Sequence, residues 1–230
     1  MAEQSQNSPS DLLFGGLDPS GSAARPTALA ILDGALRVRA VGSRFADEEI
    51  SSFFAPHREQ LFAIGLDGPC ALPVGLEECC FRTGGPPCSH QQPDEKKGRA
   101  CEQELARRGI GCFFTVKRAF AKSWILRSLT LFRQLEAAGH RVLEVYPYAT
   151  KRLLFGPMSA AKETAAGRAA LLRALQGVGL QLPCGELSHH ELDAIVAAYT
   201  VYLFAHGRAE QVGDDREGYI VVPRVARGKL

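Results

Sequence analysis

Apolar and polar positions in the first third of the chain fall in short blocks that end on turn-forming residues. Leu12–Leu17 is an apolar, glycine-containing run that stops at Asp18-Pro19-Ser20-Gly21, which predicts a first strand and its turn. Thr27–Leu32 is a second short apolar run and Asp33-Gly34 is a hairpin signal. Leu36, Val38 and Ala40 then alternate with Arg37 and Arg39, so three strands joined as a meander are expected. From Asp47 to about His57, Ile50, Phe53 and Phe54 recur at helical spacing, with Pro56 near the end. Leu61–Leu66 is continuously apolar, as a strand covered on both faces would be, and Asp67-Gly68-Pro69 ends it.

The pattern then breaks. Residues 75–98 are rich in Gly, Pro, Cys and charge without a period, which reads as an inserted loop or lid within an insertion spanning about 75–112. Cys101–Arg108 reads as a short polar helix, and Lys117–Ala138 as a longer one closed by Gly139. Arg141–Tyr146 is a strand stopped by Pro147, and Ala165–Leu175 is a helix. The last long helix begins after Ser188: Ser188 and Glu191 form a capping box, Leu187 and Leu192 can staple the entry, and Gly207 ends it. With a final strand at Tyr219–Pro223 the order is βββ-α-β-(insert)-α-β-α-α, an α/β protein without internal repeats.

Composition narrows this picture in a few respects. At 230 residues and 46% hydrophobic content the chain can bury one good core, so residues 12–230 are expected to form a single domain behind a disordered tail at 1–11. That tail lacks the basic start and apolar stretch of an export signal, and the longest apolar run, Ala194–Ala205, is too short for the ~20 residues that span a bilayer. The expectation is a cytoplasmic protein with reduced thiols, in which seven cysteines do not make a disulfide framework. A net charge of +2 means that any basic surface must be local. Lys117, Arg118, Lys122, Arg127 and Arg133 could supply one, and Arg99, Lys117, Arg118 and Lys122 are the candidate nucleic-acid contacts.

Four carboxylates stand at positions that suggest chemistry. Asp18 and Asp67 end strands, Glu144 interrupts the run Val142-Leu143-Glu144-Val145-Tyr146, and Asp193 lies in the first turns of the last helix. Hard divalent cations need several oxygen ligands converging, and strand ends beside a helix start supply that on a rigid frame. His190, three before Asp193, shares its helix face. Each residue also has a plainer reading: turn formers at Asp18 and Asp67, a solvent-facing strand position at Glu144, and a residue favoured by the helix dipole at Asp193.

The segments LDPSGS, IGLDGPCALPVG, Arg99–Leu105, LEVYP, HHELDAIVAAY and GDDREGYIVVP, in this order, resemble domain-of-unknown-function family 429, a group of predicted RNase H-like nucleases. The resemblance implies an RNase H-like mixed five-stranded sheet flanked by helices, similar to RuvC-type resolvases, here with a Cys-rich insertion. It further implies Asp18, Asp67, Glu144 and Asp193 as ligands of Mg²⁺ or Mn²⁺, with His190 a ligand or a base.

Cys79, Cys80, Cys88, His90, Cys101 and Cys112 fall close together in the insertion. Paired C-x₂₋₄-C knuckles are absent, yet Cys79, Cys80 and Cys88 with His90 or Cys101 could close a zinc or iron–sulfur site. Two function classes stay open on the residues. One is a divalent-metal nuclease acting on DNA or RNA, and the other a non-catalytic module of the same fold that binds nucleic acid or protein. The residues are silent on oligomeric state, and a dimer is compatible with them.

Overall fold

The computed structural model describes residues 12–76, 79–83, 88–89, 98–158 and 160–225. The expected tail at 1–11 and His90 lie outside them. Seven strands make one mixed sheet: β1 (Leu13–Asp18), β2 (Thr27–Asp33), β3 (Val38–Arg44), β4 (Leu61–Asp67), β5 (Val142–Val145), β6 (Ala209–Asp214) and β7 (Gly218–Pro223). Their order is β3-β2-β1-β4-β5-β7-β6. Strands β1 to β3 form the antiparallel meander, while β1, β4, β5 and β7 run parallel. The expected mixed sheet flanked by helices is thus present, with seven strands rather than five. The two additional ones are β7 and its antiparallel edge partner β6.

The helices are α1 (Asp47–Phe54), α2 (Cys80–Thr83), α3 (Ala100–Arg107), α4 (Lys122–Ala137), α5 (Pro147–Phe155), α6 (Ala165–Gly177) and α7 (His189–Ala205). Every residue of β2 is buried because both sheet faces are covered. Ala28, Ala30 and Leu32 belong to the core beneath α7, and Leu29 and Ile31 to the core that contains Ile50 and Phe54 of α1 and Leu131, Phe132 and Leu135 of α4. No helix among the described residues is long and apolar enough to cross a membrane.

Helix α7 is the centre of the molecule, and its unbroken buried run from Leu192 to Val201 reflects that. Its start follows the sequence: Ser188 Oγ accepts from the Glu191 N–H, Glu191 accepts from the Ser188 N–H, and Leu187 and Leu192 are both buried. Its approach to the sheet depends on two glycines that are neighbours in register, Gly16 of β1 and Gly65 of β4. A Cβ on Gly16 would stand 2.0 Å from the Ala194 carbonyl oxygen and 2.5 Å from the Ala198 nitrogen. One on Gly65 would stand 2.9 Å from the Ala197 carbonyl oxygen. Two adjacent strand positions without side chains make a trough into which the helix backbone itself settles.

The insertion is anchored through Arg99, which is 2% exposed. Its guanidinium reaches both oxygens of Glu144 on β5, with Nη1 to Oε2 at 2.7 Å, and its Nε donates to Glu102 at 2.8 Å. Glu144 also accepts the Cys70 N–H, Glu102 the Thr115 N–H, and Glu217 the N–H groups of Val74 and Ala100. These bonds tie both ends of the insertion to β5 and to the turn before β7. Arg99 is therefore corrected from a nucleic-acid contact to an internal anchor: its guanidinium is fully engaged inside the protein.

Substituting Gly16→Ala forces the helix backbone off β1. We expect destabilisation at or above the upper end of the ~1–3 kcal/mol typical of overpacking, read as a lower urea midpoint at unchanged slope. Arg99→Met leaves Glu102 and Glu144 buried without their cation and should cost about 3–5 kcal/mol. A second change, Glu144→Gln, should return part of that loss in the double variant. Strictly additive losses would show that the two side chains are not coupled.

Candidate active site

Strand alternation decides which acids meet. Gly16 and Gly65 face α7, so Asp18 and Asp67, each two residues further along its strand, project from that same face. Asp193 comes down onto them from the second turn of α7. All three line one cleft of about 1000 Å³, with His190, Lys151 and Lys162. Glu144 is in register with Leu66 and Val145 with Asp67, so Glu144 points to the opposite face. The structure brings together Asp18, Asp67, Asp193 and His190, and commits Glu144 to Arg99 instead.

The three acids do not share one electrostatic state. Burial pushes the Asp67 carboxyl well above the ordinary carboxylate range, and the negative charges of Asp18 and Asp193 push it further. Asp18 is also raised, by burial first and by Asp193, against the lowering effect of a 2.6 Å hydrogen bond with His190 Nδ1. Burial would raise Asp193 as well, but the ammoniums of Lys151 and Lys162 outweigh it and hold this carboxyl low. Lys151 Nζ binds Oδ1 and Lys162 Nζ binds Oδ2 at 2.8 Å. Among the described residues no salt bridge reaches Asp67.

Neither lysine was singled out in the sequence, and each is held by local structure. Lys151 is on α5, which begins with Pro147 at its first position and is joined to α7 by a 2.8 Å bond between Thr150 Oγ1 and Thr200 Oγ1. Lys162 precedes α6, whose Thr164 cap accepts the Gly167 N–H. A Cβ on Gly167 would meet the Ala161 carbonyl oxygen at 2.0 Å, so the absence of a side chain there lets the Lys162 loop lie against the helix. The hydrogen bond to Asp18 is the largest influence on His190 and raises its pKa, and the ring is half exposed in the cleft.

The cleft wall carries further chemistry. Phe113 is 63% and Phe120 84% exposed, packed edge to face at 5.3 Å, and Tyr148 is exposed nearby. Arg25 and Arg152 line the same cleft. Of the expected basic contacts, Arg118 is exposed, but Lys122 sits over the Phe81 ring and Lys117 donates to the Cys88 carbonyl at 2.6 Å. Arg127, 9% exposed, braces the loop after β1 through the Ser20 and Ser22 carbonyls and pairs with Asp47. Of the proposed thiol ligands, Cys79, Cys80 and Cys88 cluster, whereas Cys101 packs with Leu105, Val212 and Ile220 in a separate core. Cys101 is thereby removed from the candidate set.

Among solved structures, the chain is similar to a RuvC structure from Thermus thermophilus, with 14% sequence identity, a TM-score of 0.42, and coverage of 85% of this chain and 97% of that one. Among curated proteins none matches the sequence. The model of a family described as a protein of unknown function, DUF429, matches residues 16–218, and the chain belongs to that family.

Proposed function

We propose that the protein is a divalent-metal-dependent nuclease that hydrolyses phosphodiester bonds at the cleft formed by Asp18, Asp67 and Asp193. The observation that carries this reading is the convergence of three carboxylates from two parallel strand ends and a helix, of which Asp67 lacks a cationic partner of its own among the described residues. Raised carboxyls crowded at low dielectric are the electrostatic signature of a place that takes up positive charge.

The donor set fits Mg²⁺ or Mn²⁺, since carboxylate oxygens suit hard cations. Asp18 and Asp67 would hold such an ion, which when bound would polarise the phosphoryl oxygen and acidify water. Asp193 is already neutralised from both sides. Lys151, nearly buried, provides a fixed positive charge for the phosphate, while Lys162 is 48% exposed and can exchange Asp193 for a phosphate oxygen. Asp18 orients His190 through Nδ1, which leaves Nε2 free to take a proton from the attacking water. Arg25, Arg152 and the exposed rings of Phe113, Phe120 and Tyr148 suit a substrate with phosphates and flat bases.

Asp18→Asn should abolish Mg²⁺- or Mn²⁺-dependent cleavage in a panel of labelled single-stranded, duplex, hybrid and branched DNA and RNA, with the fold retained. Wild type that binds these substrates without cutting any of them would show a binding module instead.

Asp67→Asn should stabilise the metal-free protein, and the sign follows from its raised carboxyl. In chelator, wild-type stability should fall as pH rises from the unfolded carboxylate value of about 3.9 through the higher folded one, because the native state there binds the extra proton. Asp193, held low, gives up its contribution only on further acidification, outside that window. The variant should flatten the slope, and equal pH profiles in thermal melts would contradict the assignment.

A further inference from the structure

The thiols of Cys79, Cys80 and Cys88 lie outside the acidic cleft and take no part in the function above. Their three sulfurs are mutually within 4.8 Å. Cys79 Sγ stands 3.3 Å from Cys88 Sγ and 3.9 Å from Cys80 Sγ, spacings close to those of thiolates that share one ion. Burial raises the Cys79 thiol in the metal-free protein, and donors are nonetheless directed at two of the sulfurs. The Cys80 N–H points at Cys88 Sγ at 3.4 Å, the Phe81 N–H at Cys79 Sγ at 3.5 Å, and the Lys117 ammonium lies 3.4 Å from Cys88 Sγ. Backbone N–H groups and a cation directed at sulfur are what thiolate ligands need to share negative charge with their protein. The cluster is set in apolar packing formed by Leu72, Leu76, Phe81, Ile125 and Leu129.

We propose that Cys79, Cys80 and Cys88 bind a soft, thiolate-preferring cation, Zn²⁺, as a structural pin. Three thiolates are supplied by this cluster, and each gives up its proton as its sulfur–zinc bond forms, with no change in oxidation state. The pin bears on the start of α4 through the apolar core that contains Cys79 together with Ile125 and Leu129 of α4; Trp124 packs against that core and also lines the cleft. Metal at the thiols would thus hold one wall of the cleft in position. Cys101, Cys112, Cys70 and Cys184 stand apart from the group, so the site is defined by three of the seven cysteines.

The test uses the full chain and readouts independent of nuclease activity, so its failure is separable from failure of the nuclease reading. Purified protein should retain a single zinc per chain after desalting, and Cd²⁺ titration should give sulfur-to-cadmium charge-transfer absorption that saturates at the same stoichiometry. Removing zinc with a chelator should shift the emission of Trp124, the sole tryptophan, and expose three further thiols to a thiol reagent. Cys80→Ser, at a half-buried position, should weaken retention at least tenfold, while Cys101→Ser keeps it. The proposal is overturned if the wild type holds no zinc and shows no cadmium band. It is equally overturned if Cys101→Ser loses zinc while Cys80→Ser keeps it, or if mass analysis finds Cys79 and Cys88 joined as a disulfide in the freshly isolated, zinc-supplied protein.

Discussion

The close contact of α7 with the floor of the sheet is the constraint on which the remaining structure depends. A helix laid over ordinary strands is held off by two layers of side chains. Here Gly16 and Gly65 remove the layer on the sheet, and Ala194, Ala197 and Ala198 thin the layer on the helix. The backbones then approach until carbonyl oxygens of α7 lie against the two strands. Asp193 is carried down with the helix to the level where Asp18 and Asp67 leave their strands, so a packing feature fixes the separation of the acids.

That convergence creates an electrostatic problem which the fold solves unequally. Three carboxylates in a partly dry cleft resist simultaneous ionisation. The fold places two ammoniums on Asp193, an imidazole on Asp18, and no salt bridge from the described residues on Asp67. Negative charge is therefore fully offset on the helix side and left under-compensated on the strand side. The strand side between β1 and β4 is thus the place that would attract a cation, while the helix side carries the ammonium groups of Lys151 and Lys162. On the proposed reading, asymmetry of this kind would give a polyanionic substrate and a metal ion distinct places in one cavity.

How much of this could be read from the sequence depended on whether the signal was local. The strands β1, β2 and β4 and helix α7 were legible because periodicity and the Ser188–Glu191 box are local properties. Three of the acids were legible because strand ends and helix starts are where rigid elements present side chains. Glu144 was misleading for a reason that only register reveals. Its charge interrupts an apolar run, as a ligand would, but pairing of Val145 with Asp67 turns it to the other face, where Arg99 awaits it. Lys151 was hidden with α5, since Pro147 reads equally as the stop of a strand and as the first residue of a helix. Strand β6 was hidden because Ala209–Asp214 has little β-forming character and is strand only by pairing with β7. The Lys117–Ala138 helix begins five residues later, at Lys122, where the preceding segment instead turns with Ala119 N–H on the Val116 carbonyl.

The described residues of the insertion illustrate how a segment of weak periodicity can be held in place. Part of it is fixed by apolar burial, since Cys101 and Leu105 of α3 pack with Val212, Ile220 and Val222 of β6 and β7. Directional bonds add to this: the Arg99–Glu144–Glu102 group on the β5 side and the thiol cluster with Lys117 on the α4 side. Between these anchors the chain contributes Cys112 and Phe113 to the cleft, and beyond them Phe120 and Trp124. Exposed aromatic rings are costly on a mobile loop, because ordering them on contact with a ligand would consume the energy that stacking releases. Anchors that fix the backbone on both sides lower that entropic loss in advance. A charged group buried at one end and a sulfur group at the other therefore do for the cleft wall what Gly16 and Gly65 do for its floor: they set its position.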